Sequence, residues 1–333
     1  MRLLPLSCLI ALLAACDRGP APAPAYTPAA PTAPVAQAAP SEQPPLAPPL
    51  APPVEPLGRI NAPGRLIALG EVPGDLDARR AARRVARVLD AQDKWIGADA
   101  TVVQTGDLLD RGDDEQEIVD LLERLRAEAR AAGGALVLLN GNHEVMNVRG
   151  DLRYVTPGGF IDFQDAPGVD PGAAPPDVPP AARARVAAFL PGGPYARILS
   201  TYQIVAMVNR AVFVHGGVLP EHTRYGLARL NRESSSWMQG QSPFPALLEG
   251  EESPLWTRVY GGAVADADCL RLDAALRALD ADLLVVGHTP QRGGPTSACG
   301  GKVWRVDVGM ARHYGGTPAA IELLPDGRVE ILR

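Results

Sequence analysis

The chain has 333 residues, of which 46% are hydrophobic and 21% are charged, and its formal net charge at pH 7 is −6. This acidic balance, without a long basic stripe, argues against a protein that binds nucleic acid. Four cysteines without a Cys-X-X-Cys pair argue against a cysteine-ligated metal site. Residues 59–333 are the predicted folded domain and are enough for one large α/β core.

The N-terminal segment has the pattern of a secretory signal rather than a membrane span. Arg2 is followed by an apolar run that ends in small residues directly before Cys16. This junction resembles a bacterial lipoprotein cleavage site, which implies removal of residues 1–15, lipidation of Cys16 and anchoring at the periplasmic side of the cell envelope. Asp17 resembles an enterobacterial inner-membrane retention signal. The alternative is an ordinary signal peptide with an incidental cysteine.

Residues 16–58 are mostly proline and alanine and are interpreted as a linker. Such a composition buries too little apolar surface to offset the entropy of ordering the chain. Proline-rich linkers are extended and semi-rigid, so this one would hold the domain away from the bilayer.

Apolar runs and helical patterns alternate at the start of the domain. The pattern predicts strands at 65–70, 101–105 and 135–140 and helices at 75–89 and 113–132. Asp75 is the expected N-cap of the first helix. This βαβαβ order predicts a parallel sheet with right-handed crossovers.

The first predicted helix carries a concentration of positive charge. Its arginines are Arg79, Arg80, Arg83, Arg84 and Arg87. We interpret them as a solvated helix face, and the alternative is a docking surface for an anionic partner.

Strands dominate the second half of the domain. After a surface loop at 165–180, the pattern predicts helices at 181–190 and 269–279 and strands at 203–208, 211–215, 283–286, 303–308, 319–324 and 328–332. Two-residue connections after 208 and within the last strand pair predict hairpins. The expected fold is therefore α/β, a two-layer β-sandwich flanked by α-helices.

Two of the predicted strands end in runs of polar side chains. Residues 106–112 (GDLLDRG) follow the strand at 101–105, and residues 141–144 (GNHE) follow the next strand. The carboxyl ends of parallel strands are where open α/β sheets place ligands. Carboxylate, amide and imidazole groups beside an arginine indicate a metal site that holds phosphate.

The chain has only five histidines, and His143, His215 and His288 each stand at or just past the end of an apolar run. A single histidine in such a place would more often be structural. Three of them, together with Asp107 and Asn142, favour a functional site.

Several motifs resemble those of calcineurin-like metallophosphoesterases: 106–112, 141–144, 212–217 (VFVHGG) and 286–290 (VGHTP). Others are similar to the Shewanella-like phosphatase branch of the phosphoprotein phosphatases: 142–147 (NHEVMN), 150–155 (GDLRYV) and 254–258 (PLWTR). The resemblance spans about residues 65–316. It implies a two-layer β-sandwich with a two-metal centre between the strand ends.

The resemblance implies a ligand set when it is carried over residue by residue. Asp107 would bridge both metals, and Asn142, His215 and His288 would complete the second metal site. The cofactors would be one or two divalent metals, and nitrogen and oxygen ligands suit manganese, iron and zinc alike.

The resemblance also implies roles toward the substrate. His143 would be the general acid that protonates the leaving alcohol after attack by a metal-bridged hydroxide, and Asp110 would orient its imidazole. Arg111 and Arg258 would bind the phosphate. The implied partner is a phosphorylated substrate, including phosphoserine, phosphothreonine or phosphotyrosine on an envelope protein.

The first metal motif departs from the family pattern. The family shows Gly-Asp-X-His-Gly after the first strand, whereas residues 70–74 read GEVPG. Glu71 keeps a carboxylate, but Pro73 offers no ligand, so the first metal would keep only Glu71 and Asp107.

Three other side chains are candidates to replace the lost ligand. Asp75 and Asp77 are more simply acids at a helix start, and His313 is more simply a surface histidine. The functions left open are therefore an active metallophosphoesterase, a pseudo-phosphatase that binds a phosphorylated partner without turnover, and a dinucleoside polyphosphate hydrolase.

Two cysteines remain in the domain, Cys269 and Cys299. An even number in an oxidising compartment favours a disulfide. The alternative is two free buried thiols.

Overall fold

The computed structural model describes residues 57–333, so the predicted signal peptide and nearly all of the predicted linker lie outside the described residues. In this part of the chain, eleven strands form two sheets and nine α-helices flank them. No helix within residues 57–333 is long and apolar enough to cross a membrane.

The strands divide between a six-stranded and a five-stranded sheet. In chain order they are β1 (Arg59–Ile60), β2 (Leu66–Leu69), β3 (Thr101–Gln104), β4 (Ala135–Leu138), β5 (Val205–Val208), β6 (Ala211–Val214), β7 (Leu283–Val286), β8 (Thr296–Ala298), β9 (Val303–Arg305), β10 (Ala320–Leu323) and β11 (Val329–Leu332). The six-stranded sheet has the order β1-β5-β6-β7-β9-β8, and the five-stranded sheet has the order β11-β10-β2-β3-β4.

The helices connect the strands and cover the sheets. They are α1 (Leu76–Val85), α2 (Glu115–Ala131), α3 (Asn142–Val148), α4 (Pro157–Ile161), α5 (Arg183–Phe189), α6 (Pro194–Leu199), α7 (Pro220–Tyr225), α8 (Leu227–Met238) and α9 (Asp266–Leu279). As predicted, β2, β3 and β4 pair in parallel, with α1 and α2 as their crossovers. The hairpins β5–β6 and β10–β11 are also as predicted.

Apolar side chains fill the space between the two sheets. Ala68 and Val103 of the five-stranded sheet and Phe213 and Val285 of the six-stranded sheet belong to one buried cluster and have no exposed area. The alternate residues of the same strands belong to a larger cluster shared with the helices. This period of two is what a sheet covered on both faces requires, and it confirms the predicted sandwich.

Several predicted boundaries are wrong. Helix α1 begins at its Asp75 N-cap, whose side chain accepts the Ala78 N–H, but it ends at Val85 because Arg87 adopts a φ of 57°. The strands predicted at 203–208 and 303–308 are shorter at one end, as β5 and β9 show. The polar run 141–144, for which no helix is predicted, contains the first turn of α3.

The prediction of a solvated arginine face on α1 is wrong for two of its residues. Arg79 and Arg83 are 0% and 1% exposed because they lie on the face of α1 that packs against the sheet. Arg79 donates to the Val72 carbonyl, and Arg83 Nη2 lies 3.3 Å from Gln104 Oε1. These arginines support the 70–74 loop from behind and form no docking surface.

Cys269 at the start of α9 and Cys299 form a disulfide across 30 residues, with their Cα atoms 5.3 Å apart. Closing a loop of this length stabilises a fold by about 3 kcal/mol in the loop-entropy model. The alternative of two free thiols is therefore wrong.

We expect reduction to lower the free energy of unfolding by about 3 kcal/mol, because the unfolded chain regains loop entropy. Urea unfolding with and without reductant measures this in a Cys8→Ser/Cys16→Ser background, where only this pair can respond. The control adds Cys269→Ser/Cys299→Ser to this background, and its free energy of unfolding should be the same with and without reductant. Two thiols titrating in denatured, unreduced protein would contradict the bond.

Candidate functional site

The loop after β3 and the start of α3 are held together by the Glu144 carboxylate. Its oxygens accept the backbone N–H groups of Asp107 (2.9 Å), Leu108 (2.7 Å), Leu109 (3.2 Å) and Gly141 (2.6 Å). Burial and the neighbouring Asp107 charge raise the pKa of Glu144, while the N–H donors oppose that rise. Hydrogen bonds to a charged acceptor are the strong ones, so the two segments form one unit.

The backbone around the site is strained. Asp107, Asp110, Arg111 and His288 all have positive φ, between 48° and 68°. Non-glycine residues persist in this region only where their surroundings fix them, and such residues cluster at functional sites. Gly106 also has a positive φ of 93°, and a Cβ there would stand 2.5 Å from the Gly141 nitrogen. The close approach of the two segments therefore requires glycine.

Four ligand-type atoms converge at the carboxyl ends of the strands. His215 Nε2 lies 2.8 Å from Asn142 Oδ1, 3.1 Å from His288 Nδ1 and 3.3 Å from Asp107 Oδ2. A tetrahedral cation with bonds of about 2.0–2.1 Å holds its ligand atoms about 3.3 Å apart. The predicted second-metal residues are thus together at the spacing that a divalent cation requires.

The protonation of this cluster suits a cation. His215 Nδ1 lies 2.9 Å from the Thr105 carbonyl, which holds the Nδ1 proton and turns the Nε2 lone pair to the centre. Burial lowers the pKa of His288 to about 2. Burial would raise the pKa of Asp107, but the surrounding histidines lower it well below its usual range. A neutral imidazole and an ionised carboxylate are the forms that bind metals.

The predicted first-metal residues do not form a comparable cluster. Glu71 Oε1 accepts the His288 N–H and lies 3.2 Å from His215 Nδ1, so this oxygen is engaged behind the second-metal ligands. Within residues 57–333, the one trio of His, Cys, Asp or Glu with ligand atoms inside 4.8 Å is Asp107, His215 and His288. The described residues fit one cation, and Pro73 leaves the first site short of a ligand.

The three candidate substitutes have other partners. Asp75 caps α1 and also accepts the Arg312 N–H at 2.7 Å, and the exposed Asp77 lies 3.6 Å from Arg80. His313 is exposed, as predicted, but it folds back to the edge of the site, with its Nε2 3.4 Å from Arg111 Nη1.

His143 stands beside the ligand cluster with its ring fixed from behind. Its Nδ1 lies 2.5 Å from Asp110 Oδ2, and its Nε2 is 3.8 Å from Asp107 Oδ2. Burial would lower the pKa of His143, but the Asp107 charge and the Asp110 hydrogen bond outweigh it and raise the pKa to about 9. The His143 ring can therefore stay protonated at neutral pH, with its Nε2 proton facing the ligand cluster.

The two predicted phosphate arginines flank the site. Arg111 stacks on Tyr154, with its guanidinium carbon 4.0 Å from the ring centroid. Arg258 is exposed, and its Nη1 donates to the His288 carbonyl at 2.7 Å and to Thr289 Oγ1 at 3.0 Å. Both guanidinium groups are thus tied to residues that touch the cluster or His143.

Sequence reasoning missed the residues behind the site. Glu144 and Asn147 belong to the 142–147 motif without a role assigned to either, and Arg185 lies in no motif. Arg185 is an arginine among alanine, valine and phenylalanine on a helix that is buried from Ala184 to Phe189. A charged residue placed between alanine and valine in an apolar stretch is the signal that could have found it.

Comparison with known proteins agrees with this architecture. Residues 74–292 match the family model described as calcineurin-like phosphoesterase. The chain is 38% identical to Shewanella-like protein phosphatase 2 of Arabidopsis thaliana over 82% of this chain and 78% of that protein. It is 26% identical to Shewanella-like protein phosphatase 1 of Plasmodium berghei, over 81% and 74% of the two chains. The solved cold-active protein-tyrosine phosphatase of a Shewanella species superposes with a TM-score of 0.63 at 24% identity, covering 84% and 83% of the chains.

We expect Glu144→Ala to lower the free energy of unfolding by about 3–5 kcal/mol, because it leaves four buried N–H groups without their acceptor. Urea unfolding measures the loss. Glu251→Ala, at an exposed glutamate, is the matched control and should stay within about 0.5 kcal/mol of the wild type. Equal stability of the two variants would show that Glu144 does not hold the loops.

Proposed function

The chain belongs to the calcineurin-like phosphoesterase family, in its Shewanella-like phosphatase branch, and we propose that it hydrolyses phosphomonoesters with His143 as the general acid. The observation that carries this proposal is the His143 ring, whose Nδ1 is bonded to Asp110 while its Nε2 faces the ligand cluster. A leaving alkoxide needs a proton, and a fixed imidazolium is a suitable donor near neutral pH.

The family implies divalent metals, and Asp107, Asn142, His215 and His288 would hold one of them. When bound, the cation would supply a nucleophile from water at neutral pH and neutralise charge on the phosphate. Manganese, iron and zinc all suit these donors. Occupation of a first site would fall to Glu71 and Asp107, and we expect that site to bind more weakly.

Arg111 and Arg258 would hold the phosphate oxygens. Both guanidinium groups stand at the rim of the cluster, and each is anchored on one side, Arg111 by Tyr154 and Arg258 by the His288 carbonyl. Anchoring aligns a guanidinium before the substrate arrives, so less freedom is lost on binding. The positive charge would stabilise the equatorial oxygens in the transition state.

We propose a phosphoprotein as the substrate, on serine, threonine or tyrosine. The support is the names of the relatives, which are protein phosphatases of the Shewanella-like branch and a protein-tyrosine phosphatase. The choice among the three residues is left to experiment.

Hydrolysis of phenyl phosphate by the detergent-purified full chain tests the activity, after metal stripping and titration with Mn²⁺. We expect turnover that needs Mn²⁺, and a loss of about 10²–10⁴-fold in kcat for His143→Ala, because the leaving phenolate loses its proton donor. Asp107→Asn should lose bound manganese in elemental analysis. His222→Ala, at a buried histidine outside the site, is the control and should keep kcat per folded molecule.

Three outcomes would overturn parts of this proposal. Unchanged kcat in His143→Ala would remove the general acid. Absence of wild-type turnover, with activity appearing in Pro73→His, would indicate a pseudo-phosphatase that binds a phosphorylated partner. Faster turnover of diadenosine tetraphosphate than of phenyl phosphate and phosphopeptides would favour a dinucleoside polyphosphate hydrolase.

We also propose that the protein is anchored to the cell envelope through a lipid on Cys16 and faces the periplasm. The support is the apolar run of residues 1–15 before Cys16, and Asp17 favours the inner membrane.

Cys16→Ser should move the protein from the membrane to the soluble fraction of lysed cells, because the thiol that would carry the lipid is gone. Fractionation and immunoblotting of the expressed full chain measure this. Cys299→Ser is the control and should stay with the membrane. Membrane association of Cys16→Ser would argue against the lipid anchor.

A further inference from the structure

We infer that Arg185 is a positioning residue for the general acid: from α5 it fixes the Asp110 carboxylate and, through it, the His143 ring. This inference rests on the proposed function, since it assigns Arg185 a role only if His143 donates a proton. No motif of the family resemblance covers Arg185, which lies in the segment between the 150–155 and 212–217 motifs.

Each nitrogen of the Arg185 guanidinium has a partner. Nη2 donates to Asp110 Oδ1 at 3.2 Å, and Nε donates to Asn147 Oδ1 at 2.9 Å. Nη1 donates to the Gly159 carbonyl at 2.8 Å and lies 2.5 Å from Glu115 Oε2. The side chain is 0% exposed, so protein groups rather than solvent surround the guanidinium.

The two oxygens of Asp110 have different partners: one bonds His143, and the other is held in place by neighbouring side chains. Oδ2 bonds His143 Nδ1, whereas Oδ1 accepts from Arg185 and from Asn147 Nδ2 at 3.0 Å. Arg185 also orients the Asn147 amide, because its Nε bonds the Asn147 oxygen and thereby turns the amide nitrogen to Asp110. The same Asn147 nitrogen also donates to the His143 carbonyl at 2.9 Å. Arg185 therefore supplies one hydrogen bond at Oδ1 directly and helps to orient the donor of the other.

The charges around Arg185 also support its role as a positioning residue. Asp110 and Glu115 are two carboxylates with no exposed side-chain area, and Arg185 lies between them. Burying a guanidinium is unfavourable unless carboxylates and hydrogen bonds offset it, as they do here. Phe163 and Phe189, with ring centroids 5.3 and 5.4 Å from the guanidinium carbon, exclude water from the group. The Arg185 guanidinium is thus held in one place, and it can fix the Asp110 side chain in one rotamer.

A variant that impairs the general acid can be told from one that impairs the fold, because only the first loses a rate factor that depends on the leaving group. Phenolate needs a proton as it leaves, whereas dinitrophenolate is a stable anion that needs little assistance. A variant that misplaces His143 should therefore lose rate on phenyl phosphate and much less on 2,4-dinitrophenyl phosphate. A variant that merely loosens the fold should lose the same factor on both substrates.

We expect Arg185→Met in the Mn²⁺-loaded full chain to lose about 10–10²-fold in kcat on phenyl phosphate and less than about 5-fold on 2,4-dinitrophenyl phosphate. KM for both substrates and manganese content should stay near the wild-type values. Arg185→Lys, which keeps the charge, should recover part of the phenyl phosphate rate. Arg183→Met on the same helix is the matched control, because Arg183 donates only to the Val178 and Pro176 carbonyls, and it should behave as the wild type.

If Arg185→Met does not fold, Asn147→Ala decides, because it removes the second bond at Asp110 Oδ1 without leaving a buried charge unpaired. It should show the same leaving-group dependence with a smaller loss. Equal losses on both substrates, or no loss on either, would overturn the inference. His143→Ala without leaving-group dependence would instead overturn the proposed general acid, so the two failures are distinguishable.

Discussion

A single buried carboxylate determines how the parts of this site meet. Glu144 gathers four backbone N–H groups from the loop after β3 and from the residue before α3. Asp107 on the first segment and Asn142 on the second can therefore not move apart without breaking charge-assisted bonds. The ligand cluster, His143 and the strained backbone all depend on this arrangement, because each needs the two segments at one fixed separation.

The altered first motif changes how buried negative charge is balanced. Asp107 faces His143 and His215, which stabilise its ionised form. Glu71 and Asp307 lie together, and although Glu71 Oε1 is 3.2 Å from His215 Nδ1, burial and the Asp307 charge raise the pKa of Glu71 well above its usual range. Burial also raises the pKa of Asp307 to about 6. A proton can then balance this pair where a cation would in the family pattern. Glu71 accepts the His288 N–H, and its part in a first metal site stays a prediction.

Most of the fold follows from sequence, because β2, β3 and β4 and the hairpin at Asn209 carry strong periodic or turn signals. The ligand cluster was also predictable, since Asp107, Asn142, His215 and His288 follow strand ends within recognisable motifs. The orientation of α1 could not be predicted. Its arginines suggest a helix face in contact with water, whereas Arg79 and Arg83 lie on the face that packs against the sheet. Arg185 was missed because its partners stand 26 to 75 residues away, and no local pattern encodes such pairings.

Three successive residues of α3 serve three different elements: Asn142 the ligand cluster, His143 the Asp110 carboxylate, and Glu144 the loop after β3. Successive side chains of a helix point about 100° apart, so this short turn distributes its groups around the axis. Inserting or deleting one residue at its start would rotate all three away from their targets together. Substitutions can remove these functions one at a time, whereas a change of length there would remove them all in one step.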